Sequence, residues 1–180
     1  MTRTLSPAGL HLIAGFEGFV PTPYNDPAGN ATIGYGRLLH VGPVTDVDRQ
    51  TNYVNAFHLS GASTVGRLTV EQALQLLRAD TASFARAVDA VVKVRLGVIP
   101  ARASARFAAC CSLAYNIGAA AFANSTLLKQ INAKGAPRDW TELGPYWLEW
   151  DHAGGVVEPG LLERRKLEFA IFDPGKYPEL

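Results

Sequence analysis

A mainly helical α+β fold in two lobes, with a small antiparallel sheet in the N-terminal lobe and one long connecting helix, is what this sequence predicts. Three observations carry that expectation. Apolar residues recur at i, i+3 and i+4 through most of the chain, one such stretch runs almost from Leu68 to Gly97, and a glycine-flanked extended run stands near the start. The 180 residues, 48% of them hydrophobic, suffice for one good core or two small ones and leave no room for a second sizeable module. We therefore expect a single domain over residues 1–180, with an N-terminal lobe at 1–68, a connecting helix at 69–96 and a helical C-terminal lobe at 97–180.

The first helix starts at Ser6-Pro7. The serine side chain can accept from a free first-turn N–H, and proline at the first helical position loses nothing by lacking its own. Gly18 ends it. Leu10, Ile13, Ala14 and Glu17 share one face, so the glutamate lies with the aliphatic side chains and away from water. A carboxyl placed so suits a general acid, which must hold its proton until it delivers it. Asp26 falls in Tyr24-Asn25-Asp26-Pro27-Ala28-Gly29-Asn30, a turn-forming and well-hydrated segment. Two carboxyls in opposed environments are the pattern from which acid and base roles are assigned in glycoside hydrolysis. Thr32 follows in an extended run in which Thr32, Gly34 and Gly36 are expected to share one open side and Ile33 and Tyr35 the other.

Residues 37–67 are the least periodic part, with breakers at Val41-Gly42-Pro43 and Leu59-Ser60-Gly61 around a short helix near Asp46 to Phe57. Thr69 and Gln72 form a capping box that opens the longest helix, whose apolar face runs through Val70, Ala73, Leu74, Leu77, Phe84, Val88, Val91 and Val92. Pro100 starts the next. Its strip of Phe107, Cys110, Cys111, Ala114 and Ile117 is so short of charge that it belongs in a core. Tyr115 and Asn116 near its end offer a flat ring and an amide of the kinds that sugars and acetamido groups use. Ser125 or Asn124 caps a helix holding Leu127, Leu128 and Ile131 and ending around Lys134-Gly135. Trp140, Trp147 and Trp150 are expected in packing rather than as sugar platforms. The last helix spans roughly Pro159 to Phe172, with Leu162, Phe169 and Phe172 inward and Arg164, Arg165 and Lys166 toward a cleft or solvent. Asp173-Pro174-Gly175 stops it, and a loose tail follows to Leu180.

Glu17, eight residues, Asp26, five residues, Thr32, continued as Thr32-Ile33-Gly34-Tyr35-Gly36, resembles the catalytic signature of the phage-type lysozymes, the endolysin family of glycoside hydrolase family 24. Tyr115-Asn116-Ile117-Gly118, Ser125-Thr126-Leu127-Leu128 and Gly160-Leu161-Leu162-Glu163-Arg164-Arg165 resemble family segments in the same order, so the likeness covers nearly the whole chain. It implies a lysozyme-like fold and an N-acetylmuramidase that hydrolyses the β-1,4 bond between N-acetylmuramic acid and N-acetylglucosamine in bacterial peptidoglycan. Glu17 would be the acid, Asp26 would position water or stabilise charge, and Thr32 would hold that water. Leu38, Tyr115 and Ser125 fall where family members contact glycan. The resemblance suggests inversion at the anomeric carbon. Arg164 and Arg165 are candidates to bridge to Glu17 or to hold a muramyl carboxylate, a choice that the resemblance leaves open. One departure concerns Arg37, which stands where several members carry a histidine that can form a structural ion pair. Two rivals remain: a lytic transglycosylase, against which Asp26 and Thr32 argue, and a non-catalytic wall-binding or tail-structural protein, against which the intact trio argues.

Composition narrows the partners. A formal net charge of +1 gives no basic field for capturing an anionic polymer, so nucleic-acid binding is not expected. Cys110 and Cys111, adjacent in a helical pattern, cannot staple a fold, and His11, His40, His58 and His152 lack metal-ligand spacing. Neither metal nor cofactor is expected. The N-terminus lacks a signal peptide's apolar core, and no run reaches membrane-spanning length. We expect a monomer made in the cytoplasm, without stable membrane insertion, that reaches the cell wall through a holin or another delivery partner.

Overall fold

Eleven residues from Pro7 to Glu17 form helix α1, with Ser6 Oγ accepting from the Gly9 N–H at 3.2 Å as the sequence predicts. The computed structural model describes residues 2–134 and 139–173. After α1 come β1 (Val20–Asn25), β2 (Ala31–Gly34) and β3 (Arg37–His40), an antiparallel sheet in that order. Two short helices, α2 (Asp46–Gln50) and α3 (Tyr53–Ala56), replace the single short helix expected there. The break has a local cause: Thr45 caps α2 in a box with Asp48, and Asn52 accepts from Asn55 N–H to open α3 separately. Helix α4 (Val70–Val91) begins with the expected capping box, Gln72 N–H to Thr69 Oγ1 at 3.2 Å and Thr69 N–H to Gln72 Oε1 at 2.9 Å.

Helix α4 stops short of the predicted Leu96. Asn132 is the reason, because its amide donates to Val91 O at 3.0 Å while its Oδ1 accepts the Lys93 N–H at 2.8 Å, and Arg3 adds donors to the carbonyls of Asp89 and Val92. An end satisfied by residues remote in sequence leaves no local signal. Then come α5 (Pro100–Ile117), α6 (Ala119–Asn124), α7 (Thr126–Lys134), a 3-10 turn at Thr141–Leu143, α8 (Gly144–Leu148), a two-residue hairpin of β4 (His152–Ala153) and β5 (Val156–Val157), and α9 (Pro159–Phe172). Helices α6 and α8 and the hairpin have no counterpart in the sequence reading. The predicted stop at Pro174-Gly175 and the tail to Leu180 lie outside the described residues, as does Gly135.

The chain divides into two compact units, one formed by Leu10–Asp80 and the other by the residues up to Gly9 together with the chain from Thr81. The first packs Ile33, Tyr53, Leu68, Ala73 and Leu76 against Phe19, Tyr35, Leu39, Phe57 and Leu59, which ties the sheet to the start of α4. In the second, α5 lies along α9, and Phe107, Cys110, Leu113, Leu127, Ile131, Trp140, Trp147, Phe169 and Phe172 fill the interior. Both cysteines are buried and free, and Trp140 and Trp147 are core residues, in keeping with the packing roles expected of them. Among the described residues no helix is long and apolar enough to cross a membrane.

Arg164 and Arg165 depart from expectation. Both are buried, so neither is turned to solvent, one of the two surroundings expected for them, and Arg165 is 0% exposed. Glu168, also 0% exposed, explains it. Its Oε1 accepts from Ser112 Oγ at 2.6 Å and Arg164 Nε at 3.1 Å, and its Oε2 accepts from Trp147 Nε1 at 3.1 Å and from Arg165. Arg165 also donates to Asn116 Oδ1 and, at 3.0 Å, to Trp150 O. Buried guanidinium groups are tolerated because each finds an anion or carbonyl within reach.

Candidate active site

Helix α1 delivers Glu17 at its last position, half-buried beside the apolar face formed by Leu10, Ile13 and Ala14. Gly18, with φ at +71°, then turns the chain into β1 in a conformation that a residue with a Cβ resists. The strand ends at Asn25, and Asp26 opens a tight turn. Its Oδ1 accepts the N–H groups of Ala28 at 2.9 Å and Asn30 at 2.8 Å, its own N–H donates to Asn30 O at 2.9 Å, and its carbonyl accepts from Gly29 N–H at 2.8 Å. One carboxylate oxygen is thus spent on orientation, while Oδ2 takes no part in the turn.

Thr32 lies in β2, 3% exposed, and its hydroxyl donates to Asn30 O at 3.2 Å. A hydroxyl whose hydrogen is engaged presents lone pairs to anything else that approaches, so it acts there as an acceptor. Tyr24 on β1 pairs directly with Thr32, and Thr32 with Leu38 on β3. Direct partners across antiparallel strands point to one face, which places Tyr24, Thr32 and Leu38 in a row. Burial raises the Tyr24 hydroxyl above its usual pKa of 10.0, and the charges of Asp26 and then Glu17 add to the rise. Tyr24 stands directly across the strands from Thr32 and two residues before Asp26, and Glu17, Asp26, Thr32 and Tyr24 all belong to the Leu10–Asp80 unit.

The expected open glycine side is corrected by the backbone. Strand β2 ends at Gly34, and Gly34 and Gly36 have φ of +70° and +83°, so the alternation that would align them with Thr32 breaks down. A Cβ at Gly34 would stand 3.3 Å from Ala73 Cβ, against α4. Both glycines make the hairpin between β2 and β3, but only Gly34 faces helix α4, while Gly36 is exposed with nothing within 4 Å of an added Cβ. Leu38, at 49% exposed, is the member of the row presented to solvent.

Tyr115 and Ser125 belong to the other unit. Tyr115 is half-buried with its ring edge-on to Phe84, centroids 5.2 Å apart. Ser125 is buried, and its Oγ donates to Phe122 O at 2.7 Å and accepts the Leu128 N–H at 3.0 Å as the cap of α7. Sequence reasoning missed two members of the site, Tyr24 and Asn30. Strand register alone, which places Tyr24 opposite Thr32, could have exposed the first; Asn30 acts through its main chain and has no residue-type signal. Among the described residues no three His, Cys, Asp or Glu side chains are grouped to hold a metal ion.

Residues 14–168 match the sequence profile described as Phage lysozyme. The chain belongs to the phage lysozyme family. It is 31% identical over 175 residues to an endolysin of Acyrthosiphon pisum secondary endosymbiont phage 1, covering 94% of this chain and 97% of the relative. Among solved structures it resembles the endolysin from Escherichia coli O157:H7 phage FAHEc1, at 30% identity and a TM-score of 0.70 over 99% of both chains. It also resembles the muramidase domain of SpmX from Asticaccaulis excentricus, at 28% identity and a TM-score of 0.68 over 94% of this chain and 98% of the domain. A phage lysozyme is a glycoside hydrolase that cleaves peptidoglycan, and the family match takes in the whole of the Glu17, Asp26 and Thr32 neighbourhood. Arg37, the departure from the family's histidine, forms an ion pair of its own with Asp80 and lays its guanidinium over the Phe57 ring at 5.3 Å.

Proposed function

We propose that this phage lysozyme is an N-acetylmuramidase of the endolysin type, with Glu17 as general acid and Asp26 and Thr32 as the pair that orients the attacking water. The observation that carries the assignment is the Asn30 carbonyl, which accepts from both the Asp26 N–H and the Thr32 hydroxyl and so joins the two water-orienting residues, on a sheet whose first strand follows directly from the helix that ends at Glu17. Glu17 donates its proton to the glycosidic oxygen as the bond from C1 of N-acetylmuramic acid breaks. Asp26 Oδ2 and Thr32 Oγ1 each accept one hydrogen of a water, which aims the water's lone pair at C1. As the new C–O bond forms, the surplus proton passes to Asp26. Attack from the side opposite the leaving group inverts the anomeric carbon. Leu38 supports a substrate-facing role by its exposure in the same row. Tyr115 and Ser125 are further glycan candidates by family resemblance; a buried Ser125 that caps α7 would act through the position of that helix. The trio lies within one unit of one chain, so a monomer suffices, and a membrane-permeabilising partner would bring it to the wall.

Digestion of purified sacculi with analysis of the products by mass tests this reading. Fragments ending in reducing N-acetylmuramic acid, released first as the α-anomer, are expected. Products lighter by one water, with anhydro ends, would identify a lytic transglycosylase, and binding without release of fragments would identify a wall-binding protein.

A further inference from the structure

Asn30 touches both members of the water-holding pair, and its side chain is anchored elsewhere. Its N–H donates to Asp26 Oδ1 at 2.8 Å, and its carbonyl accepts both the Asp26 N–H at 2.9 Å and the Thr32 hydroxyl at 3.2 Å. Its side-chain Oδ1 accepts the Gly42 N–H at 3.1 Å, while Gly42 O accepts from Ala31 N–H at 2.7 Å. The next asparagine upstream repeats the device, with Asn25 Oδ1 accepting the Val44 N–H at 2.7 Å. The Gly42–Val44 segment is therefore stitched to both ends of the Asp26 turn.

We propose that Asn30 is a positioning residue for hydrolysis: its amide clamp on Gly42 fixes the peptide groups that set the Asp26 carboxylate and the Thr32 hydroxyl together. The inference rests on the water-orienting roles assigned to those two residues. A single residue whose N–H donates to the Asp26 carboxylate and whose carbonyl accepts the Thr32 hydroxyl couples their positions, so a rotation at residue 30, which turns the peptide planes on both sides of its Cα, moves both acceptors away from one water at once. Displacements of about 1 Å at such a point can cost up to about 10²-fold in rate. The side chain itself meets no reacting atom, and any residue keeps the main-chain groups. Only the acceptor for Gly42 is specific to the asparagine.

The test compares steady-state rates on soluble uncrosslinked glycan strands at pH 7 for wild type, Asn30→Ala, Asn30→Asp and Asn30→Gln, each corrected for folded fraction. Asn30→Ala should lower kcat by about 10- to 100-fold with KM changed by less than about 2-fold, since orientation of water matters after binding. Asn30→Asp keeps an acceptor in the same place and should restore kcat to within about 3-fold of wild type. Asn30→Gln moves that acceptor by a methylene and should behave like alanine. Wild-type kcat in Asn30→Ala, or a loss in Asn30→Asp equal to that in Asn30→Ala, would overturn the proposal. If Asn30→Ala does not fold, Asn30→Gln with wild-type kcat overturns it and a selective kcat loss upholds it. Asp26→Asn and Thr32→Ala run alongside. Full activity in both would remove the roles on which the inference depends, whereas their loss together with an unaffected Asn30→Ala would remove the inference alone.

Discussion

Asp26 and Asn30 hold each other through two hydrogen bonds, Asp26 N–H to Asn30 O at 2.9 Å and Asn30 N–H to Asp26 Oδ1 at 2.8 Å. The turn that carries the aspartate is thus closed by the aspartate itself, and its structural and chemical uses fall on different oxygens. Asp26→Asn keeps an acceptor for the turn and removes the charge. It should change stability by less than about 0.5 kcal/mol, while activity on sacculi falls by at least about 10²-fold. Asp26→Ala, which strands two backbone donors, should in addition cost about 1–2 kcal/mol. Urea melts alongside a wall-clearing assay separate the two effects.

Gly34 supplies a second prediction. Its φ of +70° and the 3.3 Å that would separate an added Cβ from Ala73 Cβ act in the same direction. Gly34→Ala should lose about 1–3 kcal/mol of stability through left-handed strain and the crowding of α4. A fall in melting temperature checks it, and an unchanged one would mean that the hairpin relaxes freely.

His40 and Asp48 form a pH-sensitive tie, with His40 Nε2 3.0 Å from Asp48 Oδ2. The hydrogen bond to Asp48 raises His40 above its ordinary 6.5, and His40, followed by Thr45, lowers Asp48 from 3.8 to about 2. A raised histidine contributes fully below 6.5 and loses its contribution as pH climbs through its folded value. A depressed aspartate contributes fully above 3.8 and loses its contribution as pH falls toward 2. The melting-temperature difference between wild type and His40→Gln should therefore peak between about pH 4 and 6.5 and shrink on both sides. A difference that is flat from about pH 3 to 9 would refute the tie.

Glu168 is an anion shared by Arg164 and Arg165 in the interior. Glu168→Gln takes that shared charge from two buried guanidinium groups and should destabilise by about 3–5 kcal/mol. Denaturant titration followed by tryptophan fluorescence reports this directly, because Trp147 donates to the same carboxylate.

What could be read from the sequence was whatever local chemistry determines. The Ser6 and Thr69 caps, the Gly18 stop, the start of α5 at Pro100 and the burial of Cys110 and Cys111 follow from neighbouring residues, and the structure agrees with them. Features fixed by remote partners were not legible. The end of α4 depends on Asn132, the burial of Arg165 depends on Glu168, Asn116 and the Trp150 carbonyl around it, and the inward turn of Gly34 depends on Ala73. The same division applies to the site. The spacing from Glu17 through Asp26 to Thr32 is where the proposed chemistry comes from, while Tyr24 and Asn30 emerge only once strand register and main-chain hydrogen bonds are known.

The account rests most heavily on Glu17 as the proton donor, and Glu17→Gln tests that most directly. The amide preserves shape and removes the acidic proton, so the release of reducing-end N-acetylmuramic acid from sacculi should fall by about 10²-fold or more while the variant stays folded. Equal release by the folded variant and the wild type would contradict the assignment and place the catalytic centre elsewhere in the chain.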